Sequence, residues 1–177
     1  MRVISVDVGW KDEGNRNAAV VADGEGRVLA WKSRLDRAGL WDFIKQHAGG
    51  VKAVLLDVPI EGCDLLGEKG FRPIDLAISR CGMWALPASK AKQRGVRLRG
   101  EVADLVPSAT VLEIYPYAIY KFLAFQSQHG NLASLRSHKG STVPNQGFGA
   151  FVPCKYKRAG GEERRRALLF LKELLEH

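Results

Sequence analysis

The stretches Met1-Arg-Val-Ile-Ser-Val-Asp7-Val-Gly9 and Val51-Lys-Ala-Val-Leu-Leu-Asp57-Val-Pro-Ile60 decide the predicted fold. Both are rich in apolar and β-branched residues, which is typical of buried β-strands. Each apolar run ends at an aspartate. Carboxylates at the ends of neighbouring strands can converge on one place, where they need a cation or a shared proton to coexist. Asp7 and Asp57 are therefore the first candidates for a functional site.

The first third of the chain predicts an α/β architecture with a mixed sheet. Three strands that form an antiparallel meander are predicted over 2–8, 17–22 and 27–33. A helix with Asp36 as its N-cap follows and leads into the strand that ends at Asp57. Right-handed crossovers then put the first strand in the middle of the sheet, beside this fourth strand and parallel to it.

The remainder of the chain is less regular. The predicted segments are a helix over 73–81, a polar and basic stretch over 87–100, a strand over 110–114, a helix over 117–125, a long loop over 126–152 and an amphipathic helix over 162–175. The length of 177 residues suits one domain with a proper core and is short for two. We therefore expect residues 1–177 to form a single domain.

The charge balance favours an anionic partner. The net charge is +8, and basic domains bind nucleic acid more often than neutral ones do. The stretch 87–100 contains Lys90 and Arg94, which are candidates for contacting phosphates. An equally strong interpretation of this stretch is a solvated, charged loop.

Cysteines and hydropathy indicate a cytoplasmic protein without a membrane segment. The three cysteines, Cys63, Cys81 and Cys154, lie far apart and in no C-x-x-C spacing, which favours reduced thiols over disulfides or a zinc site. The chain contains no signal-peptide pattern and no apolar run long enough to span a bilayer.

For the tryptophans, which include Trp31, packing in the core or a cleft is the preferred interpretation and an interface is the alternative.

A third acid, Glu113, follows an apolar run in the sequence Val111-Leu-Glu-Ile-Tyr-Pro116. It either joins Asp7 and Asp57 or points outward from an edge strand. Three acids at strand ends suit one or two Mg²⁺ or Mn²⁺ ions, because hard cations prefer carboxylate oxygens. Two such ions can stabilise both the attacking and the leaving oxygen of a phosphodiester displacement.

At this point the order of the motifs resembles a known family. The chain is similar to a bacterial and archaeal family of unknown function predicted to be ribonuclease H-like nucleases. The motifs that carry the resemblance are Asp7-Val-Gly9, Asp57-Val-Pro-Ile60, Arg72-Pro-Ile-Asp75-Leu-Ala-Ile-Ser-Arg80 and Glu113-Ile-Tyr-Pro116, with a looser basic stretch near Lys157. The resemblance spans most of the chain and rests on the order of these motifs.

The resemblance implies a ribonuclease H-like mixed sheet and a nuclease that acts on DNA or RNA with Mg²⁺ or Mn²⁺. It implies that Asp7, Asp57 and Glu113 bind metal and that Asp75 and Arg80 line the same cleft. Substrate phosphates would be held by basic residues, for which the candidates are Arg80, Lys90, Arg94, Lys155 and Lys157. The last acidic residue that ribonuclease H-like nucleases bring from a C-terminal helix has no evident counterpart here.

Three alternatives remain open from the residues alone. One is a non-catalytic nucleic-acid-binding module with the same fold. Another is a nucleotide-phosphate-handling protein related to actin-like ATPases, although those are much longer and have two such domains. For Arg72, Asp75 and Arg80, a set of ion pairs on a helix surface is the alternative to a role in the cleft.

Overall fold

The computed structural model describes residues 1–9, 16–67, 69–80, 88–91, 94–116, 119, 161–162 and 165. Its elements are β1 (Arg2–Asp7), β2 (Asn17–Asp23), β3 (Val28–Leu35), α1 (Arg37–His47), β4 (Val51–Leu56), α2 (Pro73–Arg80), a 3₁₀ turn (Ala88–Ala91), α3 (Arg94–Leu105) and β5 (Thr110–Glu113). The expected helix over 117–125, the loop over 126–152 and the helix over 162–175 lie almost wholly outside the described residues.

The chain divides into two compact units. The first contains Met1–Pro73 and Pro87–Tyr115, and therefore the whole described sheet with α1 and α3. The second contains Ile74–Leu86 and Pro116–His177, and most of α2 belongs to it. The expectation of one domain over the whole chain stays a prediction.

The five strands form one mixed sheet in the order β3-β2-β1-β4-β5. β2 runs antiparallel to both β1 and β3, whereas β4 is parallel to both β1 and β5. The predicted meander is therefore confirmed, and so is the central position of β1 beside β4. The α/β class with a mixed sheet is confirmed as well.

One face of the sheet carries the core of the first unit. Alternate strand residues, such as Ile4, Val6, Val54 and Leu56, point to this face and are fully buried, which follows from the two-residue period of a strand. The residues that α1 and α3 contribute to the same core are Leu40, Phe43, Ile44, Leu98 and Val102. α1 begins as predicted, because the Asp36 side chain accepts a hydrogen bond of 2.7 Å from the Gly39 amide.

Helix α3 was not predicted from the sequence. The stretch over 87–100 was described only as polar and basic, but its second half begins a helix that runs to Leu105. Leu98, Val102 and Leu105 recur at helical spacing, and the first two are buried. The intervening arginines are compatible with a helix because their side chains occupy its solvent side.

Within the described part of the chain, every helix is too short or too polar to cross a membrane.

Candidate functional site

Asp7 and Asp57 lie side by side at the carboxyl ends of β1 and β4. Val6 pairs with Leu56 in the parallel register, and the Asp57 amide donates a 3.0 Å hydrogen bond to the Val6 carbonyl. The two aspartates therefore follow the last paired positions of neighbouring strands, with Cα atoms about 5 Å apart by the usual strand spacing. Asp7 is exposed and Asp57 is half-buried. The predicted adjacency of the two aspartates is confirmed.

The strand register also shows which face of the sheet each acid occupies. Directly paired residues project to the same face, and successive residues of a strand project to opposite faces. Val6, Leu56 and Glu113 form one row across β1, β4 and β5. Glu113 therefore lies on the core face, whereas Asp7, one residue beyond that row, lies on the opposite face. Asp57 lies one residue beyond the end of β4; because its amide continues the hydrogen bonding to Val6, the same alternation assigns Asp57 to the face of Asp7.

Glu113 forms a buried, bidentate ion pair with Arg72. Nη1 of Arg72 lies 2.7 Å from Oε2 of Glu113, and Nη2 lies 2.6 Å from Oε1. The Arg72 side chain is completely buried and that of Glu113 is 10% exposed. Parallel hydrogen bonds between a guanidinium and a carboxylate are among the strongest in proteins. The outward-pointing alternative for Glu113 is therefore wrong, although β5 is an edge strand.

The ion pair also holds the segment that follows Asp57. Oε2 of Glu113 accepts hydrogen bonds from the backbone amides of Ile60 at 2.6 Å and Glu61 at 3.2 Å. Nη1 of Arg72 donates to the Glu61 carbonyl at 2.7 Å, and Nη2 donates to the Tyr115 hydroxyl. Residues from three of the motifs noted in the sequence are thus joined in one network. Its observed role is to fix the backbone beyond Asp57.

The environment of Glu113 lowers its pKa. Burial alone raises the pKa of this carboxyl, but hydrogen bonds from Arg72, Tyr115 and the Ile60 amide, together with the Arg72 charge, outweigh that effect. A depressed pKa in the folded state contributes stability above the unfolded-state pKa and loses it as the pH falls through the folded-state value. The ionised Glu113 therefore stabilises the protein at neutral pH.

We predict that Glu113→Gln lowers the free energy of unfolding by about 1.5–3 kcal/mol at pH 7, because hydrogen bonds to a charged group are lost. The difference from the parent protein should shrink as the pH falls below the ordinary glutamate value of 4.5 towards the lowered pKa. Urea unfolding of both proteins at pH 7 and at acidic pH measures this difference. A difference that is constant across the two pH values would contradict an ionised Glu113 in the folded state.

The backbone directly after Asp7 is held by Asn17, which no motif in the sequence marked as functional. Oδ1 of Asn17 accepts a hydrogen bond of 3.0 Å from the Gly9 amide, and its Nδ2 donates to the Leu35 carbonyl at 3.0 Å. Asn17 is only 6% exposed, so both ends of its amide are satisfied inside the protein. Gly9 itself leaves no room for a side chain, since a Cβ there would lie 2.6 Å from Cβ of Arg16. The signal in the sequence was an asparagine at the start of an otherwise apolar strand.

Other predicted site residues are placed only in part. Arg72 and Asp75 are both fully buried, so neither lies on a helix surface. Arg94 is half-buried at the first position of α3. The structure describes the backbone but not the side chain of Arg80 and Lys90, and Lys155 and Lys157 lie outside the described residues.

The oxygens of Asp7 and Asp57 suit a hard cation, because Mg²⁺ is commonly bound by one or two carboxylates and completes its shell with water and substrate phosphate. Glu113 does not share their face of the sheet and already binds Arg72. In the described part of the chain, no group of three or more His, Cys, Asp or Glu side chains is arranged to hold a metal ion. The donor set that fits is therefore the pair of aspartates.

Comparison of the whole chain with protein-family models, with curated proteins and with solved structures returned no match.

Proposed function

We propose that the protein is a cytoplasmic, metal-dependent nuclease with a ribonuclease H-like fold. The observation that carries this proposal is the placement of Asp7 and Asp57 on one face of the sheet, at the carboxyl ends of adjacent parallel strands. Ligand sites in open α/β sheets lie at this edge. The strand order, with an antiparallel meander followed by parallel strands, agrees with the fold that the motif order suggests. The separated cysteines support a reducing compartment.

The two aspartates would hold Mg²⁺ or Mn²⁺, which supplies an activated water and neutralises charge on the phosphate. Asn17 and Gly9 fix the backbone after Asp7, while the Arg72–Glu113 pair fixes the backbone after Asp57. The chain's net charge of +8 favours a polyanionic substrate, DNA or RNA. Arg94, with the other basic residues predicted to contact phosphates, would supply part of that attraction.

We expect the protein to cleave DNA or RNA oligonucleotides in Mn²⁺ and Asp7→Asn to reduce the rate by about 100-fold or more, since outer-sphere changes alone cost 10–100-fold. Gel analysis of labelled single-stranded and duplex substrates measures the rates. Asp42→Asn is the matched control, because it removes the same charge from an exposed position on α1. Full cleavage by the double variant Asp7→Asn with Asp57→Asn would exclude the metal site.

A second candidate is a nucleic-acid-binding module without catalytic activity. It is favoured by the engagement of Glu113 with Arg72, which leaves two carboxylates where three were expected. This candidate predicts binding that weakens steeply with salt, does not depend on divalent metal and leaves the substrate intact. The cleavage assay above, paired with a binding assay in EDTA, distinguishes the two functions.

A further inference from the structure

The edge strand β3 exposes an unusual amount of apolar surface. Trp31, in the middle of the strand, is 70% exposed, and Val28 and Leu29 are 60% and 50% exposed. Core or cleft packing, the preferred interpretation of the tryptophans, therefore does not apply to Trp31, although Trp41 does pack against the core. Proteins that bind single-stranded nucleic acid commonly stack its bases on aromatic side chains, and the exposed ring of Trp31 is suited to this.

Trp31 lies on the same face of the sheet as the two aspartates. It pairs with Val20, which in turn pairs with Ser5, so these three residues form one row on one face. Asp7 is two residues beyond Ser5 and therefore shares that face. Two strand spacings and two residues separate the Cα atoms of Trp31 and Asp7, which amounts to roughly 12 Å. A few nucleotides of extended strand would cover this distance.

The carboxyl end of β3 adds positive charge and an irregular backbone. Lys32 and Arg34 are exposed, and neither forms an ion pair with any residue that the structure describes. Lys32 pairs with Ala19, which pairs with Val6, so Lys32 lies on the core face and only adds to the charge of the edge. The register between β2 and β3 shifts between Asn17 and Ala19, as in a β-bulge, and Arg34 has a φ of 57°. An arginine in the left-handed region is strained, and bulges often re-aim side chains next to functional sites.

These observations favour a polyanion over a second protein strand as the occupant of this edge. Pairing of β3 with β3 of another copy would place the cationic side chains Lys32 and Arg34 of both strands at one junction, and like charges on paired strands are destabilising. Phosphates, by contrast, would be attracted. Stacking on Trp31 further requires an unpaired base, because the bases of a duplex are already stacked on each other.

We propose that β3 binds single-stranded nucleic acid and leads it to the aspartate pair, with Trp31 stacking on a base and Arg34 contacting a phosphate. The inference rests on the proposed function in taking nucleic acid as the ligand of this sheet. It adds the substrate class, a single strand, and a binding surface outside the metal site.

The test is the affinity of the full-length protein for a fluorescein-labelled oligothymidylate in EDTA, measured by fluorescence anisotropy. Trp31→Ala should weaken binding by about 5- to 100-fold, the range expected for loss of one stacked base, and Trp31→Phe should retain most of the affinity. The matched control is Leu112→Ala, because Leu112 is 47% exposed in the same row at the opposite edge of the sheet. Leu112→Ala should bind as the parent does.

A second pair of variants tests how much the charge of Arg34 contributes to binding. Arg34→Gln should weaken binding and reduce the dependence on salt, whereas Arg27→Gln, which removes the same charge from a residue already paired with Asp23 and Glu25, should do so much less.

The proposal is overturned if Trp31→Ala binds the oligonucleotide as tightly as Leu112→Ala does, or if the parent protein does not bind it. It is also overturned if Trp31→Ala weakens the binding of duplex DNA as much as that of the single strand. The same holds if the free parent protein is a dimer and Trp31→Ala makes it a monomer. The binding assay contains no divalent metal, so it tests this inference separately from the nuclease function. A protein that binds the oligonucleotide but does not cleave it in Mn²⁺ would contradict the nuclease function and leave this inference standing.

Discussion

Arg72→Met is expected to lower the free energy of unfolding by about 3–5 kcal/mol, the usual cost of leaving one partner of a buried ion pair uncompensated. Arg72 is completely buried, forms two hydrogen bonds with Glu113 and also donates to the Glu61 carbonyl. Methionine fills similar apolar volume but provides none of these bonds. Urea unfolding at pH 7 measures the loss.

A double-mutant cycle separates the ion pair from the other contacts of Arg72. Glu113→Gln keeps an oxygen that can accept hydrogen bonds from the Ile60 and Glu61 amides but removes the charge. The double variant Arg72→Met with Glu113→Gln should therefore be destabilised by clearly less than the sum of the single variants. Strict additivity would show that the two side chains do not interact in the folded protein.

Gly95→Ala is expected to destabilise the protein by about 3 kcal/mol or more, at or above the upper end of the range for overpacked sites. A Cβ at position 95 would lie 1.8 Å from the Pro59 carbonyl oxygen and 2.7 Å from its carbon. Both atoms belong to the backbone, so helix α3 or the segment after Asp57 would have to move. Thermal or urea unfolding measures the effect.

The matched control is Gly100→Ala in the same helix. Gly100 is exposed and has nothing within 4 Å of its Cβ position, so alanine there should stabilise α3 by about 0.5–1 kcal/mol. The two substitutions add the same methyl group to one helix and should therefore change stability in opposite directions. Equal stability of the two variants would contradict the close approach of α3 to Pro59.

The arrangement of the central strands was predictable from the sequence because its signals are local. The apolar runs before Asp7 and Asp57 identify buried strands, and the right-handed crossover places β4 beside β1. The Asp36 N-cap was predictable for the same reason, since it depends on residues within one turn.

The arrangement around Glu113 was not predictable in the same way. Whether Glu113 faces the aspartates or the core depends on the register of β5 against β4, and a shift of one residue reverses the answer. Its partner Arg72 is 41 residues away in the chain, across segments without strong periodicity. Helix α3 was missed because its arginines and Gly95 weaken the apolar pattern that Leu98 and Val102 would otherwise make clear.

The structure shows how the motifs that contain Asp57, Arg72 and Glu113 are connected. Arg72 and Glu113 come from motifs that the sequence suggested would surround a metal, and their observed contacts fix the backbone after Asp57 instead. In our account the buried pair positions the site, while the two aspartates on the opposite face of the sheet bind the metal ion. A nuclease built in this way uses Glu113 for support and Asp7 with Asp57 for chemistry.

The most direct test of this account is a crystal structure of the protein soaked in Mn²⁺, with the metal located by its anomalous scattering. The account predicts a Mn²⁺ ion bound by the carboxylates of Asp7 and Asp57, with Glu113 still paired with Arg72. A Mn²⁺ ion bound by Glu113 in place of Arg72, or no ion at the two aspartates, would contradict it.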